Sequence, residues 1–156
     1  MKFRIRALPV EEFQALFGQP DEGLAANGVR RVIADDKGGF PCRVSLRDAA
    51  PGESLLLLNY EHLAMPTPYR ARHAIYVREG AVEARPAPGE IPQMLCRRLL
   101  SVRAYDGEGM MMAADVTEGA ELAPVIERML ARQDVAFLHI HNAKPGCYAA
   151  RVERAK

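Results

Sequence analysis

No apolar run in the sequence approaches the roughly 20 residues that a helix needs to cross a bilayer. An export signal is missing too. Such a signal needs an unbroken apolar stretch after a basic start, whereas Met1-Lys2-Phe3-Arg4-Ile5-Arg6 alternates charged and apolar side chains. Both absences argue for a cytoplasmic chain with no membrane partner. Cysteine is scarce and odd in number, with Cys42, Cys96 and Cys147 only, which speaks for free thiols and against a disulfide framework. A surplus of one charge is also lacking. The net charge of +1 leaves no footprint for neutralising many phosphates, and excludes nucleic acid as a partner class. The sequence contains no Gly-x-Gly-x-x-Gly, no phosphate-binding Gly-Lys-Ser/Thr, no Gly-x-Ser-x-Gly, no His-Glu-x-x-His and no Cys-x-x-Cys.

What remains is a chain of 156 residues, 49% apolar and 26% charged, in the range of one folded domain spanning 1–156. Internal repeats and long linkers are absent, and the breaker-rich Pro86–Pro92 stretch reads as a surface loop. Strand patterns dominate. Phe3, Ile5 and Ala7 alternate with Lys2, Arg4 and Arg6, the period of a half-buried strand. Val29–Ala34, Leu55–Leu58 and Ala74–Val77 read as further strands, the second buried on both faces. Leu99–Tyr105 and Met110–Val116 flank Asp106-Gly107-Glu108-Gly109, a hairpin signal because Asp and Gly tolerate positive φ. Val135–His141 and Tyr148–Val152 form a last hairpin around Lys144-Pro145-Gly146.

Two helices stand out. Pro9–Phe17 sets Val10, Phe13, Leu16 and Phe17 on one face between Pro9 and Gly18. From about Glu121, residues Leu122, Val125, Ile126, Met129 and Leu130 recur at helical spacing, with Pro124 confined to the first turn. The expectation is an α+β fold with a mainly antiparallel sheet of about eight or nine short strands and two or three packed helices.

Three segments carry a likeness to a known family. Pro41-Cys42-Arg43-Val44-Ser45-Leu46-Arg47-Asp48-Ala49-Ala50-Pro51-Gly52-Glu53 is one. Leu56-Leu57-Leu58-Asn59-Tyr60-Glu61-His62 followed by Pro68-Tyr69-Arg70 is the second. His139-Ile140-His141-Asn142-Ala143-Lys144-Pro145-Gly146-Cys147-Tyr148-Ala149-Ala150-Arg151-Val152 is the third. Together they resemble the bacterial family called domain of unknown function 1203, over essentially the whole chain. The resemblance implies a single bacterial cytoplasmic domain and supplies no catalytic residues.

The segment richest in chemistry is His139-Ile140-His141-Asn142 with Cys147. Alternate residues of a strand share a face, so His139 and His141 stand side by side, roughly 7 Å apart at the backbone. That is a usable spacing for two imidazoles on a divalent metal, though two ligands do not complete a site. Register decides what joins them. A three-residue loop, 144–146, puts Cys147, Ala149 and Arg151 on the histidine face. A two- or four-residue loop puts Tyr148, Ala150 and Val152 there. Turn chemistry leans against the first, because it sets Pro145 at a position that proline disfavours. His62 and His73 are weighed as further ligands and read as ordinary exposed loop histidines. Cys42 and Cys147 are thiol candidates, set against the reading of both as small buried apolar residues. Arg43, Arg47, Arg70 and Arg151 are anion ligands or, more simply, members of ion pairs.

The reading that fits these features is a small-ligand-binding or accessory module. Its candidate ligand-binding residues are Cys42, Arg43, Tyr60, His62, Tyr69, Arg70, Asn142, Cys147 and Arg151, with His139 and His141 as candidate metal ligands. Two alternatives stand beside it. One is a metal-assisted or Cys/His-dependent enzyme built on His139, His141 and Cys147. The other is a protein-interaction or homodimerisation module with an exposed strand edge.

Overall fold

The computed structural model describes residues 2–156. It is α+β, with eight strands in two antiparallel sheets and three helices. The larger sheet has the order β1-β8-β7-β5-β6, from β1 (Phe3–Arg6), β8 (Tyr148–Arg154), β7 (Phe137–Asn142), β5 (Leu99–Tyr105) and β6 (Met111–Glu118). The smaller has β2 (Arg30–Ile33), β3 (Ser54–Leu63) and β4 (Ala71–Arg78) in that order. Among the described residues no helix is long and apolar enough to cross a membrane.

The helix expected near Glu121 is α3 (Leu122–Leu130), and its five apolar residues are all buried. It covers one face of the larger sheet, where Leu100, Val102, Leu138, Ile140, Ala150 and Val152 meet Leu122, Val125, Ile126 and Met129 in the main core. Burying such side chains stabilises by roughly 1.5–3 kcal/mol each. Gly119, at the turn into α3, is required by closeness. A Cβ there would lie 1.8 Å from the Leu95 carbonyl oxygen.

The other face of the larger sheet meets the smaller sheet. Leu56, Leu58, Ile75 and Val77 build a second core with Phe13, Leu24 and Val44, and Tyr148 of β8 reaches into it. Leu63, Tyr105 and Phe137 close the other end of the contact.

Several expectations need correction. Pro9–Phe17 is not one helix but two 3-10 turns, Val10–Glu12 and Gln14–Leu16. Neither has a side-chain cap, and the Val10 N–H is held by the Glu83 carboxylate at 3.0 Å. Two short helices, α1 (Asp21–Ala26) and α2 (Gln93–Cys96), have no counterpart in the sequence reading. β3 is ten residues long, more than twice the Leu55–Leu58 run, and Leu57 within that run is only half-buried. The Cys42–Arg47 segment, which the sequence reading left without an element, is a tight turn closed by Leu46 N–H on the Cys42 carbonyl at 2.9 Å. Leu46 itself takes a positive φ of 54°.

Candidate functional site

The final hairpin carries both of the alternative registers. His139 pairs with Arg151, as a three-residue loop predicts, but His141 pairs with Tyr148, as a four-residue loop predicts. A β-bulge between them absorbs the difference, with Ala149 as the extra residue opposite Ile140 and His141. The loop spans 143–146, closed by the Asn142 N–H on the Cys147 carbonyl at 2.9 Å. Cys147 therefore lies beside Asn142, not beside the histidines, and the proposed Cys-His pair does not form.

A second bulge works on the facing sheet. Glu61 pairs with Arg72 and Leu63 with Ala71, so His62 is the extra residue of β3. A bulge lets neighbouring residues turn toward one side. Here Leu63 joins the small core with Tyr105 and Phe137, and the His62 ring packs against the imidazoles of β7. His73 stands opposite Tyr60 on β4. The reading of His62 and His73 as exposed loop residues is thus overturned: both lie in strands and both are partly buried.

The consequence is that all four histidines of the chain gather between the two sheets. His62 Nε2 lies 2.7 Å from His73 Nδ1, and His62 Nδ1 lies 3.3 Å from His139 Nδ1. His141 Nδ1 lies 2.9 Å from the Gly146 carbonyl oxygen. A carbonyl only accepts, so Nδ1 carries the proton and Nε2 presents its lone pair. That Nε2 is buried and has no partner. One nitrogen from each of His62, His73 and His141 lies within 4.8 Å of the others. Tyr148 stacks on the His62 ring at 5.1 Å.

The electrostatics hold these rings neutral. Burial is the largest cause for each. It lowers the His62 pKa to about 4, His139 to about 2 and His141 to about 3, and it lowers His73 as well. Arg103, opposite His139 on β5, pushes all four the same way. Sequence reasoning passed over Arg103. Its place opposite His139 becomes visible only once the β5–β7 register is fixed.

His73 also lines an open cleft of about 850 Å³ whose wall includes Arg43, Tyr76, Arg98, Asn142, Lys144 and Cys147. Arg43 is 1% exposed. Its Nε donates to the Tyr148 carbonyl at 2.8 Å, one terminal nitrogen to the Pro41 carbonyl at 2.7 Å, and the other to Cys147 Sγ at 3.0 Å. No carboxylate is among these partners, so the expected ion pair is not made. Burial lowers the Arg43 pKa, and Cys147 is the first group acting against that shift. Asn142 Nδ2 donates to the same sulfur at 3.3 Å, while Asn142 Oδ1 is buried without a partner.

The other candidates stand apart. Cys42 is buried, its sulfur capped by the backbone N–H groups of Arg78 and Ser45. The Tyr60 hydroxyl donates to Glu12 at 2.7 Å, and burial raises its pKa, so it does not act as a base. Arg70 is held at the surface by Glu61 at 2.6 Å. Exposed Tyr69 meets Tyr105 edge-on. The Arg151 guanidinium sits 3.9 Å over the Phe137 ring, a cation–π contact beside the histidines.

A family model described as protein of unknown function (DUF1203) matches residues 39–154, a span that holds all four histidines, Arg43, Asn142 and Cys147. No curated protein and no solved structure matches the chain.

Proposed function

The chain belongs to the DUF1203 family, whose description assigns no activity, and we propose that it is a metal-binding protein in which His62, His73 and His141 hold one divalent transition metal. A coordination position is left for a small ligand. The observation that carries this reading is the buried, unpartnered Nε2 of His141, with its Nδ1 committed to the Gly146 carbonyl. A metal-bound imidazole ordinarily donates its second N–H to a carbonyl or similar group, which fixes the tautomer. Without a ligand, an isolated buried acceptor costs roughly 1–3 kcal/mol.

The surroundings support the same assignment. His139 sits on Nδ1 of His62 and leaves Nε2 of that ring facing His73. Depressed pKa values keep the imidazoles in the form that ligates, with little competition from protons near neutral pH. A set of nitrogen donors without a carboxylate suits zinc, copper, iron or nickel rather than magnesium or calcium. Two nitrogens each about 2.1 Å from a tetrahedral ion stand roughly 3.4 Å apart. His62 and His73, 2.7 Å apart, separate slightly to admit one. Three protein ligands leave a tetrahedral ion one free position, and His73 on the cleft wall marks the route to it. Arg103 nearby favours an anionic or neutral occupant there.

The test is elemental analysis of untagged protein before and after incubation with zinc, beside a His73→Ala/His141→Ala variant. The expected result is close to one ion per chain in the wild type and a near-complete loss in the variant. It is accompanied by a rise in melting temperature on metal addition that only the wild type shows. Wild-type protein that stays empty after incubation, or a variant that retains the metal, overturns the reading.

A further inference from the structure

Outside the histidine cluster, the cleft holds a second group of side chains whose chemistry is unspent. Cys147 is half-buried on its wall, and two N–H donors converge on Sγ, one of them on the guanidinium of Arg43. That guanidinium has no carboxylate partner, and the sulfur is the side-chain acceptor it meets. The carboxamide of Asn142 points independently to a ligand. The residue is 7% exposed and lines the same cleft, and its Oδ1 accepts from nothing. That oxygen calls for an N–H donor from whatever occupies the cleft. Lys144 on the loop adds a cation to the wall, while Arg98 is already paired with Asp48.

We propose that Cys147 is the nucleophile of a thiol–disulfide exchange site in this cleft, taking a small anionic disulfide that carries amide N–H groups. The thiolate sulfur of Cys147 attacks one sulfur of the ligand disulfide. The ligand S–S bond breaks, a new bond forms to Cys147, and the electron pair leaves on the second ligand sulfur as a thiolate. No further oxidant is needed. Ligand carboxylates face Lys144, and an amide N–H meets Asn142 Oδ1. The site uses none of the proposed metal ligands as donors and does not rest on a bound metal. Cys96, exposed, and Cys42, buried, supply internal controls in the same chain.

The experiment uses the full chain and glutathione disulfide, an anionic peptide disulfide, near neutral pH. Peptide mapping by mass spectrometry follows mixed-disulfide formation at each cysteine. Cys147 is expected to react at least about tenfold faster than Cys96. Lys144→Glu and Asn142→Ala should each slow Cys147 several-fold and leave Cys96 unchanged. The uncharged bis(2-hydroxyethyl) disulfide should lose most of the preference for Cys147. The proposal is overturned if Cys96 reacts as fast as Cys147. It also fails if both variants leave the ratio untouched, or if the uncharged disulfide shows the same preference.

Discussion

Strand β7 presents two faces that are equally buried and chemically opposite. On one, Leu138 and Ile140 pack against α3 in a core of aliphatic side chains. On the other, His139 and His141 meet the rings of His62 and His73 across the gap between the sheets, with Phe137 and Tyr148 of their own sheet packed against His139. All six residues of the strand are buried. The comparison teaches that burial alone does not separate a core from a site. The aliphatic face is complete by itself, since its atoms need only contact. The imidazole face has to satisfy directional groups, and after every hydrogen bond has been assigned, His141 Nε2 is left fully buried without a partner.

The comparison breaks most visibly on the aliphatic face. Ile140→Ala opens a cavity in a packed core and should cost about 2–5 kcal/mol, lowering the melting temperature by roughly 4–20 °C for a chain of this size. Metal content per folded chain should not change. If thermal unfolding shows little loss but elemental analysis shows the metal gone, the two faces are not independent.

A smaller effect follows from pH. In the folded chain all four histidines have lowered pKa values, with His62 at about 4, His141 at about 3 and His139 at about 2, while in the unfolded chain they titrate near 6.5. Between these limits the unfolded state binds more protons, so stability falls as pH drops from about 6.5 toward 4. Glu79, held at about 2 chiefly by Arg31, adds a loss of the same sign below about 4.5. Urea midpoints for metal-free protein at a series of pH values would show this slope. An Ile140→Val variant should lower the whole curve without tilting it. A flat profile between pH 7 and 5 would mean the rings are solvated, not buried.

Where an apolar stripe runs long enough to cover a sheet face, the sequence was a sufficient guide, which the shorter Val10–Phe17 stripe was not. α3 follows from the spacing of Leu122, Val125, Ile126, Met129 and Leu130, because one helical stripe fits one sheet face. The antiparallel pairing of β5 with β6 follows from Asp106-Gly107, whose turn is held by Asp106 Oδ1. The site was half legible. The shared face of His139 and His141 is a property of any strand. Their companions were not visible, because two bulges set them. Neither Ala149 nor His62 carries the glycine that often marks such a kink, and one extra residue reverses every later side chain. Arg43 was illegible for a different reason. Its partners Cys147 and Tyr148 lie more than a hundred residues away, and nothing local distinguishes it from the surface arginines around it.

The smallest expected effect is the sharpest test of the imidazole face. His141→Leu keeps much of the buried volume, removes the unpartnered nitrogen and releases the Gly146 carbonyl. A gain and a loss of similar size should leave metal-free stability within about 1 kcal/mol of the wild type, while the metal-induced rise in melting temperature disappears. His139→Leu should behave differently, because in the proposed site His139 supports His62 through its Nδ1 and is not one of the three ligands. It should weaken affinity by about 10–100-fold without abolishing binding. Zinc titration calorimetry on the two variants separates these roles. If both lose the metal completely, His139 is itself a ligand and the inner set must be redrawn to include it. If both keep it, the face is a neutral hydrogen-bonded cluster whose leftover nitrogen reflects only the compromise of packing four rings between two bulged strands.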